Sequence, residues 1–108
     1  MMTVTLEDVR RDFLTETCDD YVGLWSLIWQ VRERMRESDP ERRREITMAI
    51  VSDLLHSDMI KAGMLDFTGG FEQWKDGPAS IIERIAKEWS QLGREPDIGE
   101  VAWFTSTD

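Results

Sequence analysis

The fold is decided by residues 54–74, which read LLHSDMIKAGMLDFTGGFEQW. Within this stretch the helical spacing of apolar residues stops near His56, and a short apolar run over residues 59–67 follows. Gly69 and Gly70 can supply the positive φ angles of a tight turn, so that residues 71–74 return antiparallel to the first run. The sequence therefore predicts a helix that ends near His56 and a β-hairpin directly after it.

Three helices are predicted before this hairpin. The run Ser38-Asp39-Pro40-Glu41 is a helix-start signal, because Asp39 suits the N-cap and Pro40 suits the first helical position. The third helix is therefore expected from residue 40 to about residue 56. Earlier apolar residues at helical spacing predict a first helix over residues 6–17 and a second that Asp19 or Asp20 caps. The apolar faces expected in the core are Leu6, Val9, Phe13 and Leu14, then Tyr21, Leu24, Trp25, Ile28 and Trp29, then Ile46, Ala49, Ile50, Leu54 and Leu55.

A fourth helix and a strand are predicted after the hairpin. Ile81, Ile85 and Trp89 recur at helical spacing, and Gly93 provides a C-terminal stop. Residues 101–106 then alternate with the two-residue period of a strand, which is expected to join the hairpin. The sequence thus predicts a single α+β domain over residues 1–108, with three N-terminal helices, a hairpin, a fourth helix and a C-terminal strand.

The order of three helices followed by a hairpin resembles that of winged-helix domains. Residues 54–63 in particular resemble the stretch where the third helix of such a domain ends and the first wing strand begins. The resemblance covers roughly residues 21–74. It implies a winged-helix-like fold whose third helix enters the major groove of DNA, so that Arg42, Arg43 and Arg44 would contact DNA and Lys75 would be a wing contact.

A second resemblance involves the whole chain. The segments that carry it are Asp20-Tyr21-Val22-Gly23-Leu24-Trp25, Ala62-Gly63, Phe71 with Trp74, Arg84-Ile85 with Glu88-Trp89, Leu92-Gly93-Arg94 with Pro96, Ile98-Gly99 and Ala102-Trp103-Phe104. Together they look like a family of small uncharacterised bacterial proteins. This resemblance implies a bacterial domain, and it implies no activity and no functional residue.

Charge weighs against the winged-helix function. The chain has 22 acidic and 13 basic side chains, a net charge of -9, and the basic residues of the segment 32–45 are interleaved with glutamates and aspartates. A protein this acidic repels nucleic acid and anionic lipid at long range and favours a basic partner. We therefore expect nucleic-acid binding to be disfavoured, and we keep a DNA-binding regulator that uses Arg42, Arg43 and Arg44 as the alternative.

Composition also limits the cellular setting and the chemistry. Cys18 is the only cysteine, so no internal disulfide can form, and no 18-residue apolar run suggests a membrane segment. A cytoplasmic protein is expected. Cys18 and the single histidine, His56, offer little for nucleophilic catalysis, and Asp53, His56 and Asp58 offer too few ligands for a typical metal site. We expect no enzyme activity, no cofactor and no metal.

The five tryptophans provide candidate anchors for a partner. Trp25, Trp29 and Trp89 are expected in the core, because they lie on apolar helical faces. Trp74 and Trp103 are less constrained, and an exposed tryptophan among Glu72, Asp76, Asp97 and Glu100 would suit a basic protein. The leading hypothesis is therefore a non-enzymatic interaction protein, for example an acidic immunity- or antitoxin-type inhibitor of a basic protein, that could also assemble with copies of itself.

Overall fold

The computed structural model describes residues 3–107, which form four α-helices and four β-strands. In chain order the elements are α1 (Leu6–Asp19), β1 (Val22–Gly23), α2 (Leu24–Glu33), α3 (Pro40–His56), β2 (Ile60–Leu65), β3 (Phe71–Gln73), α4 (Pro78–Leu92) and β4 (Trp103–Ser106). The predicted α+β class and the order of three helices, hairpin, helix and strand are confirmed. Two-residue strand β1, which the sequence analysis did not predict, lies between the first two helices.

The four strands form one antiparallel sheet in the order β1-β4-β2-β3. The C-terminal strand joins the hairpin as expected, with Ala62 opposite Phe104 and Gly63 opposite Trp103. On its other side β4 pairs with β1, where Gly23 lies opposite Trp103. A winged-helix-like arrangement is not confirmed, because the last strand of the chain is inserted between the hairpin and an N-terminal strand.

Helix boundaries follow the expected capping rules. The Thr5 side chain accepts a hydrogen bond from the backbone of Asp8, and the Asp8 side chain accepts one from Thr5, which forms a capping box at α1. Asp39 accepts from the backbone of Glu41 at the start of α3, 3.1 Å away. Gly93 ends α4 with φ 69, a left-handed conformation that glycine adopts without steric cost.

The core lies between the helices and one face of the sheet. Phe13 of α1 meets Phe104 of β4 edge to face, with ring centroids 5.7 Å apart, and both side chains are fully buried. Because side chains alternate along a strand, Val22, Ala62 and Phe104 point to this buried face. Tyr21, Gly23 and Trp103 therefore belong to the opposite face.

Helix α2 begins at Leu24, three or four residues later than a cap at Asp19 or Asp20 predicts, and its buried face differs from the predicted one. Its buried apolar positions are Leu24, Leu27, Ile28 and Val31, which follow one helical stripe from the true start of the helix. Trp25 and Trp29 lie one position off this stripe. Trp25 is consequently half-buried and Trp29 is 46% exposed, so the prediction that both lie in the core is wrong.

Three more core predictions are wrong. Leu6, the first residue of α1, is 37% exposed. Ala49 is exposed on α3, whose buried stripe instead includes Thr47 and Val51. Tyr21 is 38% exposed, because it precedes β1 and does not belong to a helix.

Among residues 3–107, no helix combines the length and the apolar character needed to cross a membrane.

Candidate partner-binding groove

A surface groove of about 340 Å³ lies where the end of α1, strand β1, the first turn of α2 and strand β4 meet. Its lining combines three aromatic and three acidic side chains, and it includes no arginine or lysine. The aromatic residues are Tyr21, Trp25 and Trp103, and the acidic residues are Glu16, Asp19 and Asp20. We call this site the aromatic groove.

Two glycines allow close approaches beside Trp103. A Cβ atom at Gly23 would lie 2.6 Å from the Trp25 ring and 3.6 Å from the Trp103 ring, so Trp25 packs directly over this glycine. On the other side of Trp103, a Cβ at Gly63 would collide with the carbonyl oxygen of Glu72. Gly23 therefore lets an indole ring lie against the backbone, and Gly63 lets the two strands of the hairpin approach closely.

The Tyr21 ring extends the aromatic surface toward the hairpin. It stacks on Phe71 of β3 with ring centroids 5.0 Å apart and an interplanar angle of 17°. Phe71 is half-buried, and Tyr21 remains 38% exposed on the rim of the groove. The Nε1 atom of Trp25 is buried and has no hydrogen-bond partner among the described residues.

The carboxylates of the groove lie at the C-terminal end of α1, where the helix dipole is negative. The last turn of α1 contains no basic residue. Among residues 3–107, no lysine or arginine forms a salt bridge with Glu16, Asp19 or Asp20. Desolvation, followed by repulsion from Asp12, raises the pKa of Glu16. Gln30 donates to the Glu16 carboxylate, and Arg34 attracts it and opposes the rise in its pKa. The negative potential of this end of the molecule therefore comes mainly from Asp19 and Asp20, which are exposed.

Strand β4 enters the groove through a strained turn. Val101 has φ 71, and the Ala102 N–H donates to the Glu100 carbonyl two residues earlier at 2.9 Å, the hydrogen bond of a γ-turn. A positive φ at a β-branched residue is a steric outlier. Val101 is nevertheless buried, and the Ala102 carbonyl accepts from Leu24 at 3.0 Å. The turn thus fixes the start of β4, and with it Trp103, against β1 and α2.

The loop before this turn is held by two acidic residues. Glu100 accepts two hydrogen bonds from Arg94 at 2.7 and 2.8 Å and one from the Asp97 backbone at 2.7 Å. The Arg94 guanidinium, and then the Asp97 N–H, lower the pKa of Glu100 to about 2. Asp97 is exposed and also accepts from the backbone of Ile98. The predicted partner residues Asp97 and Glu100 are therefore placed in this loop, where both fold the chain locally.

The other predicted anchor, Trp74, is 9% exposed and lies under Arg84. The guanidinium carbon of Arg84 is 3.9 Å from the Trp74 ring centroid, so a cation of the same chain already covers the indole. Glu72 and Asp76 are exposed near it on β3 and before α4. Trp74 points to the buried face of the sheet and Trp103 to the opposite face, so the six predicted partner residues do not form one patch.

The arginines at the start of α3 are bound within the fold. Arg43 is buried and donates to both carboxylate oxygens of Glu95, at 2.7 and 3.0 Å, and to the carbonyls of Glu37 and Ser38. Arg44 donates to the Ala86 carbonyl and to the Ser90 hydroxyl, and it lies 5.3 Å from the Trp89 ring.

The two remaining basic residues of the DNA hypothesis are exposed. Arg42 pairs with Glu45 on the surface of α3, with N and O atoms 3.0 Å apart. Lys75 is exposed after β3. The predicted DNA contacts therefore do not form a basic face, because Arg43 and Arg44 point back into the protein.

The residues considered for catalysis and metal binding lie at two helix ends. Cys18 is exposed near the end of α1, and His56 bonds through Nδ1 to the Ser52 carbonyl at 2.9 Å near the end of α3. Asp53 pairs with Arg10 of α1. Within residues 3–107, no three histidine, cysteine, aspartate or glutamate side chains form a group that could hold a metal ion.

The aromatic groove differs from the other depressions on the described surface in the charge of its lining. Each of three other depressions includes arginine: one contains Arg84, one Arg44 and one Arg43. The sequence analysis identified Trp103 and missed the rest of the groove. The sequence signal that could have revealed the groove was the pair Asp19-Asp20, which lies at a predicted helix end without basic residues and directly precedes Tyr21.

No protein-family model, no curated protein and no solved structure matches this chain.

Proposed function

We propose that this protein is a non-enzymatic interaction module of the cytoplasm that binds a basic protein, as an immunity- or antitoxin-type inhibitor does. The observation that carries the proposal is the aromatic groove, in which Glu16, Asp19 and Asp20 surround Trp25 and Trp103 without any basic side chain. Aromatic residues are the commonest anchors of protein interfaces, and unpaired carboxylates select a partner of opposite charge.

The internal ion pairs strengthen this charge selection. Most arginines of the described chain, including Arg43 and Arg94, form salt bridges with acidic side chains of the same molecule. Because acidic residues outnumber basic ones by nine, the side chains left unpaired are mainly carboxylates. The field outside the protein is therefore negative, which accelerates encounter with a basic partner and repels nucleic acid.

Binding would proceed in two physical steps. Long-range attraction first brings the basic partner to the acidic surface. Salt weakens this step, because charges separated by more than the Debye length, about 8 Å at physiological ionic strength, are largely screened. Desolvation of the Trp103 and Tyr21 rings then provides the short-range free energy that holds the complex. The proposal consequently expects an association rate that falls with salt and a dissociation rate that depends on the aromatic residues.

The DNA-binding alternative has less support. A third helix that reads DNA must present its basic side chains outward, whereas Arg43 and Arg44 are engaged with Glu95 and with α4. Arg42 and Lys75 remain as exposed cations on a molecule of net charge -9. No observation on α3 favours this function over partner binding.

The test is a pull-down with the tagged protein from the native cell lysate at low and moderate salt, with nuclease treatment in parallel. Two single charge reversals serve as a matched pair: Asp19→Lys at the groove and Glu83→Lys on the exposed surface of α4. Both variants change the net charge equally. The proposal expects a basic protein that survives nuclease treatment, that binds the Glu83→Lys variant almost as well as the parent, and that is lost with Asp19→Lys.

Other outcomes would redirect the assignment. Equal loss with both variants would show that only the net charge matters, which removes the groove from the proposal. Retained material that disappears with nuclease would favour nucleic-acid binding and would call for the Arg42→Ala variant. Capture of this same chain alone would show that the groove joins copies of the protein.

A further inference from the structure

We propose that the aromatic groove binds the guanidinium group of an arginine side chain from the basic partner. This inference rests on the proposed function and specifies the chemistry of its site. The arginine would lie against the Trp103 indole with its charged end toward Asp19 and Asp20, both of which are exposed on the rim.

The composition of the groove favours a cation. The face of an indole carries negative electrostatic potential and attracts a cation within about 6 Å of the ring centroid. Trp25 and Trp103 supply two such rings, and Tyr21 supplies a third on the rim. Glu16, Asp19 and Asp20 add formal negative charge, so every strong electrostatic feature of the lining favours a cation.

Two other tryptophans of this chain, Trp74 and Trp89, are each in contact with an arginine. Arg84 covers Trp74 at 3.9 Å and donates to Glu88 at 2.8 Å, which is a complete guanidinium site built from an indole and a carboxylate. Arg44 lies 5.3 Å from the Trp89 ring centroid and donates to the Ala86 carbonyl and the Ser90 hydroxyl, so it repeats the indole contact without a carboxylate. The aromatic groove likewise contains indole rings and carboxylates, but its lining includes no arginine or lysine that could be their cation.

The acidic residues of the groove occupy an unfavourable place in the fold. Carboxylates near a helix C-terminus are repelled by the negative end of the helix dipole. Glu16 and Asp19 lie in the last turn of α1 and Asp20 follows it, and no described lysine or arginine forms a salt bridge with them. Gln30 donates to Glu16, and the Tyr21 N–H donates to Asp20. A bound cation would add the charged partner that Asp19 and Asp20 lack and would interact favourably with the helix end.

Arginine suits the groove better than lysine for geometric reasons. The guanidinium is flat, so it can stack on an indole while its edge donates to carboxylate oxygens. A lysine ammonium is compact and more strongly hydrated, so it loses more solvation on entering. The groove is open to solvent between the end of α1 and the sheet, so a long side chain can enter it while the surface of the partner stays outside.

The experiment uses the five indole N–H signals in ¹H–¹⁵N spectra of the full chain, titrated with three peptides. These are acetyl-Gly-Arg-Gly-amide, its lysine counterpart, and its citrulline counterpart, which keeps the shape of arginine and lacks the charge. We expect the arginine peptide to shift the Trp25 and Trp103 signals, with an affinity about threefold or more above that of the lysine peptide. The citrulline peptide should bind at least about tenfold more weakly than arginine, since cation–π and carboxylate contacts are both lost.

Trp29 is the internal control, because it is 46% exposed on α2 and does not line the groove. Its signal should shift far less than those of Trp25 and Trp103. Two variants complete the design: Trp103→Leu, which removes the ring and keeps an apolar side chain, and Asp19→Asn, which removes the charge and keeps the shape. Each should weaken the arginine peptide at least about threefold, and the dispersion of the remaining spectrum verifies the fold.

Equal binding of the arginine and citrulline peptides, or shifts of Trp29 as large as those of Trp103, would overturn the inference. The proposed function fails differently, because it predicts capture of a basic protein that Asp19→Lys abolishes. A captured basic protein whose affinity is unchanged by Trp103→Leu would leave the proposed function in place and reject the arginine site. If neither the peptide nor any basic protein binds, both proposals fail.

Discussion

Replacing Arg43 with alanine should destabilise the protein far more than replacing its neighbour Arg42. The Arg43 side chain is 11% exposed and donates four hydrogen bonds, two to the Glu95 carboxylate and two to the carbonyls of Glu37 and Ser38. It therefore ties α3 to the segment before it and to the loop after α4. Arg42 is 57% exposed and makes one surface ion pair, with Glu45.

The magnitude follows from what the substitution leaves behind. Removing one partner of a buried ion pair costs about 3–5 kcal/mol, because the other charge stays in a poorly solvated place. Glu95 keeps 23% of its surface exposed and lies 3.8 Å from Arg32, so part of its charge remains compensated. We therefore expect about 3 kcal/mol for Arg43→Ala, and at most about 0.5 kcal/mol for Arg42→Ala, where the lost pair is fully solvated.

Urea unfolding followed by tryptophan fluorescence measures both free energies of unfolding at neutral pH. An Arg43→Lys variant serves as a second control, since it keeps the charge and loses the two-pronged contact with Glu95, and its stability should fall between the other two. Equal stabilities of the Arg42→Ala and Arg43→Ala variants would refute the argument. A stable Arg43→Ala protein would also return Arg43 to the set of candidate DNA contacts.

Three further predictions concern the elements around the groove. The pKa of Glu100 is about 2, below its ordinary value of 4.5, so this residue stabilises the fold above pH 4.5 and loses that effect as the pH falls through 2. Glu100→Gln should therefore flatten the curve of stability against pH between these two values, as measured by urea unfolding. Val101→Gly should be more stable than Val101→Ala by about 1 kcal/mol in the same assay, because only alanine retains the left-handed strain, and the opposite order would show that the turn is unstrained. Gly63→Ala should cost about 3 kcal/mol, since its Cβ would collide with the Glu72 carbonyl, whereas Gly77→Ala, with open space around it, should cost about 1 kcal/mol or less on thermal denaturation.

Local chemistry explains which parts of the fold the sequence predicted well. The start of α3 at Pro40 and the end of α4 before Gly93 depend on side chains within one turn of the boundary, and both boundaries are as predicted. The hairpin was predictable from a short apolar run followed by the Gly69-Gly70 turn, and the last strand was predictable from its two-residue alternation. These elements are therefore predictable from their local sequence.

Strand β1 could not be predicted in this way. Val22 and Gly23 form a strand only because Phe104 and Trp103, about 80 residues later, supply the partner backbone. A two-residue strand has no periodicity of its own, and the apolar pattern of Tyr21, Leu24 and Trp25 is equally consistent with a helix. The later start of α2 follows from β1, and with it the exposure of Trp29.

The candidate site was only partly predictable for a related reason. Trp103 was identified from its place in an unconstrained strand, and Trp74 was chosen by the same criterion. The sequence does not reveal that Arg84, ten residues after Trp74, covers its ring, nor that the end of α1 lies beside Trp103. Both facts depend on tertiary packing, which brings distant segments together.

Several local rules of protein stability are broken around the aromatic groove. Val101 adopts a strained φ, acidic residues occupy the negative end of α1, Trp25 buries an unpaired indole N–H, and Tyr21 leaves an aromatic ring in contact with solvent. Similar exceptions occur elsewhere in the described chain, because Asp58 has a positive φ, the Thr47 hydroxyl is buried without a partner and Phe67 is fully exposed. Such exceptions are expected where a protein maintains a binding site at the expense of stability. The aromatic groove is the place where several of them meet an acidic lining, which supports the proposal that it binds the partner.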